Sequence, residues 1–190
     1  LQQAKKEILK NRKVILVEGY LDVLACHQMG LPIAVAPLGT SLTEDQVKLI
    51  KRFADEITLM FDGDSAGQKA ALKSCALCLQ NGIHPKVAVF KEGQDPGDYL
   101  QNGDLEEFQK VYDSAPYAMD WIFSRYAKES GQSTSEKAQT VGKISWWIER
   151  LPDPVEQMAF AKKVEQFFGV SPQNTNKVIG FIRFGSPTIN

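Results

Sequence analysis

The sequence predicts an α/β protein, a four-stranded parallel sheet flanked by helices and followed by a small helical bundle. Three observations predict it. Residues 14–17, 33–36, 57–61 and 86–90 are short β-rich runs, apolar without alternation, as strands buried on both faces require. Stretches of helical periodicity separate these runs, so each strand is expected to lead through a crossover to a parallel neighbour. Beyond Asn102 the β-rich runs stop until the very end of the chain, and helical periodicity takes over.

In chain order, the strand at 14–17 leads to a helix over 21–29, closed by Gly30. The strand at 33–36 precedes a helix over 44–54, where Thr43 and Gln46 have capping-box spacing. The strand at 57–61 precedes a helix over 66–79, closed by Gly82, and the strand at 86–90 completes the sheet. Right-handed crossovers assemble these into a core of roughly ninety residues.

In the second region, helices are expected over 104–114, 117–129, 136–151 and 154–168. Ser133 with Glu136 forms a capping box, and Asp153-Pro154-Val155-Glu156 supplies a capping acid, a first-turn proline and an acid at the third position. Trp121, Ile122, Tyr126, Ile144, Trp147, Ile148, Met158, Phe160, Val164 and Phe168 recur at helical spacing and are expected to form core rather than a base-stacking surface. Ser171-Pro172 opens a last segment whose run over 178–184 fits either helix or strand. The expected domains are residues 1–102 and 103–190.

With 190 residues, 43% of them hydrophobic, the chain can build one ordinary domain or two small ones. A net charge of -1, from 22 basic and 23 acidic residues, excludes a strong overall field toward polynucleotide or an anionic membrane. Any basic grip on nucleic acid is expected to lie elsewhere. Leu1 stands where an initiator Met would, without a signal-peptide pattern, so an excised fragment is expected. No apolar run approaches the ~20 residues of a membrane span. Cys26, Cys75 and Cys78 are an odd number on helical segments, which fits a reduced, cytoplasmic setting. Cys75 and Cys78 have Cys-x-x-Cys spacing, but no second pair completes a zinc site, so they are expected to be buried structural thiols.

The chemistry concentrates where strands end. The first strand runs into Glu18-Gly19, the third into Asp62-Gly63-Asp64, and carboxylates at the carboxyl ends of adjacent buried strands share one crevice. There they repel unless a cation lies between them. If the third strand continues, Asp62 and Asp64 point to one side, a spacing that suits a divalent ion better than acid–base work. An Asp-Gly turn is the plain alternative. An EF-hand is excluded, because Ala66 and Lys73 fall where oxygen ligands are needed. Asp22 shares a face with Glu18 if the helix begins at Gly19 or Tyr20. The loop Leu38-Gly39-Thr40-Ser41 offers backbone N–H groups and hydroxyls to a phosphate. Asp95-Pro96-Gly97-Asp98 adds acids at the same sheet edge and also fits a plain turn, while Lys69 and Lys73 suit a solvated helix face.

The order of these motifs resembles the Toprim domain of bacterial DnaG-type DNA primases: strand and Glu18-Gly19-Tyr20-x-Asp22, strand and Leu38-Gly39-Thr40, strand and Asp62-Gly63-Asp64-x-Ala66-Gly67-x-x-Ala70, strand and Asp95-Pro96. The resemblance covers residues 12–100, and the following helical part, with Leu151-Pro152-Asp153-Pro154-Val155-Glu156, is similar to the subdomain after Toprim in those primases. It implies a Toprim-like fold in which Glu18, Asp62 and Asp64 are the central catalytic acids and metal ligands. Asp22, Asp95 and Asp98 would be supporting metal ligands, and Gly39 and Thr40 part of the nucleotide-binding surface. One departure stands out: the family's Asp-Pro-Asp is here Asp95-Pro96-Gly97, with Asp98 one place late.

The same resemblance implies Mg²⁺, with Mn²⁺ able to substitute, and zinc only in an N-terminal domain not present here. Single-stranded DNA template and ribonucleoside triphosphates would be partners, a replicative helicase would bind through a further C-terminal domain, and no membrane would be involved. A monomeric fragment, inactive alone, from a bacterial replisome or nucleoid-associated cytoplasmic protein is the expectation. The implied reaction is template-directed RNA primer synthesis for DNA replication by metal-dependent nucleotidyl transfer. Two other readings stay open on the residues: a Mg²⁺-dependent phosphohydrolase with Asp62 as nucleophile and Asp64 as acid, and a non-catalytic module that binds metal and nucleic acid.

Overall fold

The computed structural model describes residues 4–37 and 41–169. The chain divides into two compact units, Leu1–Ala118 and Met119–Asn190.

In the first unit, α1 (Lys5–Asn11) leads through Arg12 into β1 (Lys13–Leu16). There follow α2 (Tyr20–Gln28), β2 (Ala34–Val35), α3 (Glu44–Lys51), β3 (Glu56–Phe61), α4 (Ser65–Gln80) and β4 (Lys86–Val89). The four strands form one parallel sheet in the order β2-β1-β3-β4. This confirms the α/β class and the strand–helix alternation. The register pairs Ile15 with Thr58 and Leu16 with Leu59. Val14, Ile15 and Leu16 on one central strand, with Val17 just after it, and Ile57, Leu59 and Met60 on the other, are almost wholly buried. Their runs do not alternate because helices cover both faces of the sheet.

β2 lies on one side of β1, and β3 and β4 follow on the other. The order therefore reverses between β1 and β3, and a crevice opens outside their carboxyl ends. Asp62 follows β3 directly, and Glu18 follows β1 after the single residue Val17.

Two helices go beyond the sequence expectations. α1 buries Ile8, and Arg12, at φ 55, turns the chain into β1 while its guanidinium donates to both Asp55 oxygens at 3.0 and 2.6 Å. α5 (Pro96–Asn102) stands where a turn was equally acceptable. It is followed by α6 (Leu105–Asp113), which packs on β4 and α5. Phe108 of α6 lies 6.2 Å from the Phe90 ring and 6.0 Å from Tyr99. The first unit thus extends past residue 102, where the composition shifts, because those three rings form one buried cluster.

The second unit contains α7 (Ala118–Glu129), α8 (Thr134–Ile148) and α9 (Pro154–Phe168). Ser133 and Glu136 cap α8 reciprocally, and the Asp153 carboxylate accepts the Val155 N–H at 2.8 Å. Ile122, Phe123, Ile144, Trp147, Ile148, Leu151 and Val164 form its core. Met158 departs from the expected stripe at 72% exposed, whereas Trp121, Tyr126, Phe160 and Phe168 are half-buried. The expected segment over 171–190 lies outside the described residues.

Candidate metal and nucleotide site

Five acids from three strand ends surround the crevice. Glu18 leaves β1 and its Oε1 accepts the backbone N–H of Asp62 at 3.1 Å, which ties the two junctions together. This contact needs space that only glycine leaves. A Cβ on Gly67, in the first turn of α4, would stand 2.7 Å from Glu18 Oε1 and would overlap the Asp62 carbonyl oxygen. One on Gly63 would run into the Lys91 carbonyl.

β3 ends at Phe61, so Asp62 and Asp64 do not continue a strand with shared side-chain direction. Asp64 is instead the N-cap of α4, its Oδ1 accepting the Gly67 N–H at 2.7 Å. The chain passes from strand to helix here, which rules out the hairpin-turn alternative. α2 begins at Tyr20, the condition for Asp22 to share a face with Glu18, and Asp22 Oδ2 accepts the Gly19 N–H at 2.9 Å. Asp95 and Asp98 form a reciprocal capping box on α5: Asp95 Oδ1 accepts the Asp98 N–H at 2.9 Å, and Asp98 Oδ2 accepts the Asp95 N–H at 3.0 Å. Asp22, Asp64, Asp95 and Asp98 thus each place one carboxylate oxygen on an N-terminal helix amide, where a negative charge is also favoured by the helix dipole.

Among the described aspartates of the crevice, Asp62 alone accepts no helix amide. Burial, then the charges of Glu18, Asp22, Asp95 and Asp64, push its carboxyl up to about 7. Asp22 is also raised, by burial first and by Asp95 last, against the lowering effect of the Gly19 N–H. The acids acting on Asp62 include Asp95 but not Asp98. Asp98, one place late in this loop, is engaged with Asp95 in the cap of α5.

Among the described residues, no three acid, histidine or cysteine side chains are placed so that together they could hold a metal ion. The donor set nonetheless fits a hard divalent cation. Every candidate ligand is a carboxylate oxygen, the carboxylates repel one another at Asp62, and Mg²⁺ is held by one or two carboxylates while its other positions go to water and phosphate.

A cavity of about 290 Å³ adjoins Glu18 and is lined also by Ser41, Leu42, Phe61, Lys73 and Leu77. Lys73 is exposed, as expected of a solvated helix face, and also lines this cavity. Gly39 and Thr40 lie outside the described residues. Sequence reasoning did not single out Gln94, whose carbonyl accepts the Gly63 N–H at 3.1 Å, or Tyr99 of α5, whose hydroxyl donates to Gln94 Oε1 at 3.1 Å; no spacing signals either contact. Cys26, Cys75 and Cys78 are free and buried, as expected of structural thiols. Among the described residues no helix is long and apolar enough to cross a membrane.

A small parallel sheet with acids at a strand-order reversal defines a Toprim-like protein, and a model of Toprim-like domains matches residues 15–100. The DNA primase of Clostridium acetobutylicum is 35% identical over 161 residues, covering 84% of this chain and 27% of that protein. The crystal structure of a DNA primase domain from Pseudomonas aeruginosa superposes with a TM-score of 0.81 at 27% identity, covering 95% of this chain and 58% of that one. The Aquifex aeolicus primase, solved with its zinc binding and RNA polymerase domains, gives a TM-score of 0.77 at 25% identity, over 94% of this chain and 42% of that one. The chain belongs to the bacterial DnaG-type primases as a Toprim-bearing part. It spans about a quarter of the length of the Clostridium protein.

Proposed function

We propose that this chain is the metal- and nucleotide-handling part of a DNA-dependent RNA polymerase that makes primers for DNA replication. The observation that carries the reading is Asp62, held at a strand-order reversal where burial and four neighbouring acids raise its pKa to about 7. Such a site relieves its repulsion by holding either a proton or a cation.

Glu18, Asp62 and Asp64 would hold Mg²⁺, or Mn²⁺ in its place, with Asp22 and Asp95 supporting and Asp98 acting through its cap on Asp95. When bound, the ion supplies charge neutralisation on the triphosphate of an incoming ribonucleotide and acidifies the attacking 3′-hydroxyl. The chain's own residues do the rest. Glu18 is aimed by the Asp62 N–H, Asp64 and Asp95 are fixed by helix amides, and Lys73 offers a cation toward phosphate at the mouth of the cavity. Gly39 and Thr40 would contribute backbone N–H groups and a hydroxyl to the nucleotide. Residues 1–102 would carry this chemistry, and residues 103–190 would form the helical subdomain that follows in the chain. Single-stranded template and a helicase partner would engage parts of the protein beyond this chain, in keeping with its net charge of -1. The phosphohydrolase alternative needs Asp64 free as an acid, whereas Asp64 is engaged as a helix cap.

Primer synthesis by the intact protein tests the proposal. Glu18→Gln or Asp62→Asn should lower the rate by about 10²-fold or more, as loss of a directed charge does. Normal polymerisation by both variants would leave only the binding-module reading.

A further inference from the structure

We propose that Tyr99 is a positioning residue for the acid crevice, acting through Gln94 and Gly63 on the loop that carries Asp62. This rests on the reading of that crevice as a cation site. Tyr99 is 2% exposed, with its ring 5.3 Å from Phe90 and 6.0 Å from Phe108. Packing therefore fixes the direction of its hydroxyl, which donates to Gln94 Oε1 at 3.1 Å.

Gln94 is the hinge of the arrangement. Its N–H donates to the Lys91 carbonyl at 3.0 Å, and its own carbonyl accepts the Gly63 N–H at 3.1 Å. Gly63 lies flat on the Phe90–Lys91 backbone, with no room for a Cβ. Asp62 and Asp64 flank Gly63, and Asp95 follows Gln94. One segment thus locates both the Asp62 loop and the Asp95 carboxylate that acts on it. Without the tyrosine hydroxyl, Gln94 loses its fixed contact with the aromatic cluster, and the Gly63 N–H loses a stationary acceptor. Shifts of about 1 Å in such a constellation are enough to weaken it severalfold or more.

The test uses Tyr99→Phe, which keeps the ring, and Gln94→Ala, which removes the acceptor and keeps the Gln94 carbonyl. Two quantities are measured on the chain: exchange of the Gly63 amide by NMR, and Mn²⁺ affinity by electron paramagnetic resonance. Each variant should speed Gly63 exchange roughly two- to tenfold, the range of one ordinary hydrogen bond, and weaken Mn²⁺ binding about three- to tenfold. The double variant should do no more than either alone, because both remove one interaction. Tyr112→Phe, a half-buried tyrosine outside the cluster, should change neither quantity.

A purely structural tyrosine would lower the melting temperature and leave Gly63 exchange and Mn²⁺ affinity unmoved, which would overturn the inference. If the wild-type chain binds no Mn²⁺, the cation reading falls, and the role of Tyr99 with it. If it binds Mn²⁺ with a dependence on Asp62 while Tyr99→Phe changes nothing, only the inference about Tyr99 falls.

Discussion

Raising the pH in the absence of metal should destabilise the first unit, and Asp62 sets the window. Its carboxyl titrates near the usual 3.8 in the unfolded chain and at about 7 in the folded one. Below pH 4 both states are protonated, and the group contributes nothing. Between about pH 4 and 7 the unfolded chain has released its proton and the folded chain retains it, so stability falls as pH rises and levels off above about 7. A shift of that size corresponds to roughly 4 kcal/mol at 1.36 per unit, and solvent at the crevice mouth reduces it to about 1–2 kcal/mol. A divalent cation must displace the proton, so its affinity should rise about tenfold per pH unit up to 7 and then level. Thermal unfolding at pH 5.5 and 8, in chelator without metal and in Mn²⁺ without chelator, measures both effects. Asp62→Asn should be the more stable protein at pH 8 in chelator, and its melting temperature should barely respond to Mn²⁺. A wild-type melting temperature that climbs between pH 5.5 and 8 in chelator, or an Asp62→Asn variant still stabilised by Mn²⁺, would refute the reasoning.

Two further outcomes are expected. Phe108→Ala should cost about 3–5 kcal/mol in urea denaturation, because it empties the space between Phe90 and Tyr99; a loss below about 1 kcal/mol would detach α6 from the first unit. None of the three thiols should react with a disulfide reagent in the native chain, since burial pushes Cys26 and Cys78 up to about 12 and Cys75 well above its usual value. All three should react in denaturant, and labelling of any one in the native chain would contradict its burial.

The sheet was legible because its strands are uninterrupted apolar runs, a pattern that burial on both faces imposes directly on the sequence. The two missed helices show where that legibility ends. α1 buries only Ile8, with Ala4 buried at its N-cap, too few positions for periodicity to register. α5 starts with Asp95, Pro96 and Asp98, the same cap, proline and third-position acid that announce α9, but Gly97 makes the tetrapeptide look like a turn. At the site, the strand-end positions of Glu18 and Asp62 followed from the runs they terminate. The role of Asp64 did not, because whether it shares a side with Asp62 depends on β3 stopping at Phe61. Met158 fits the helical stripe by spacing and is nevertheless exposed, since periodicity marks a face and not what covers it.

The double duty of the crevice carboxylates has a practical corollary. Because Asp22, Asp64 and Asp95 are already immobilised on main-chain amides, an arriving ion need not freeze their rotamers, and less entropy is lost on capture. Alanine at these positions would therefore confuse two losses, unravelling a first helical turn while deleting a proposed ligand. Asparagine, an equally good cap without the charge, separates them.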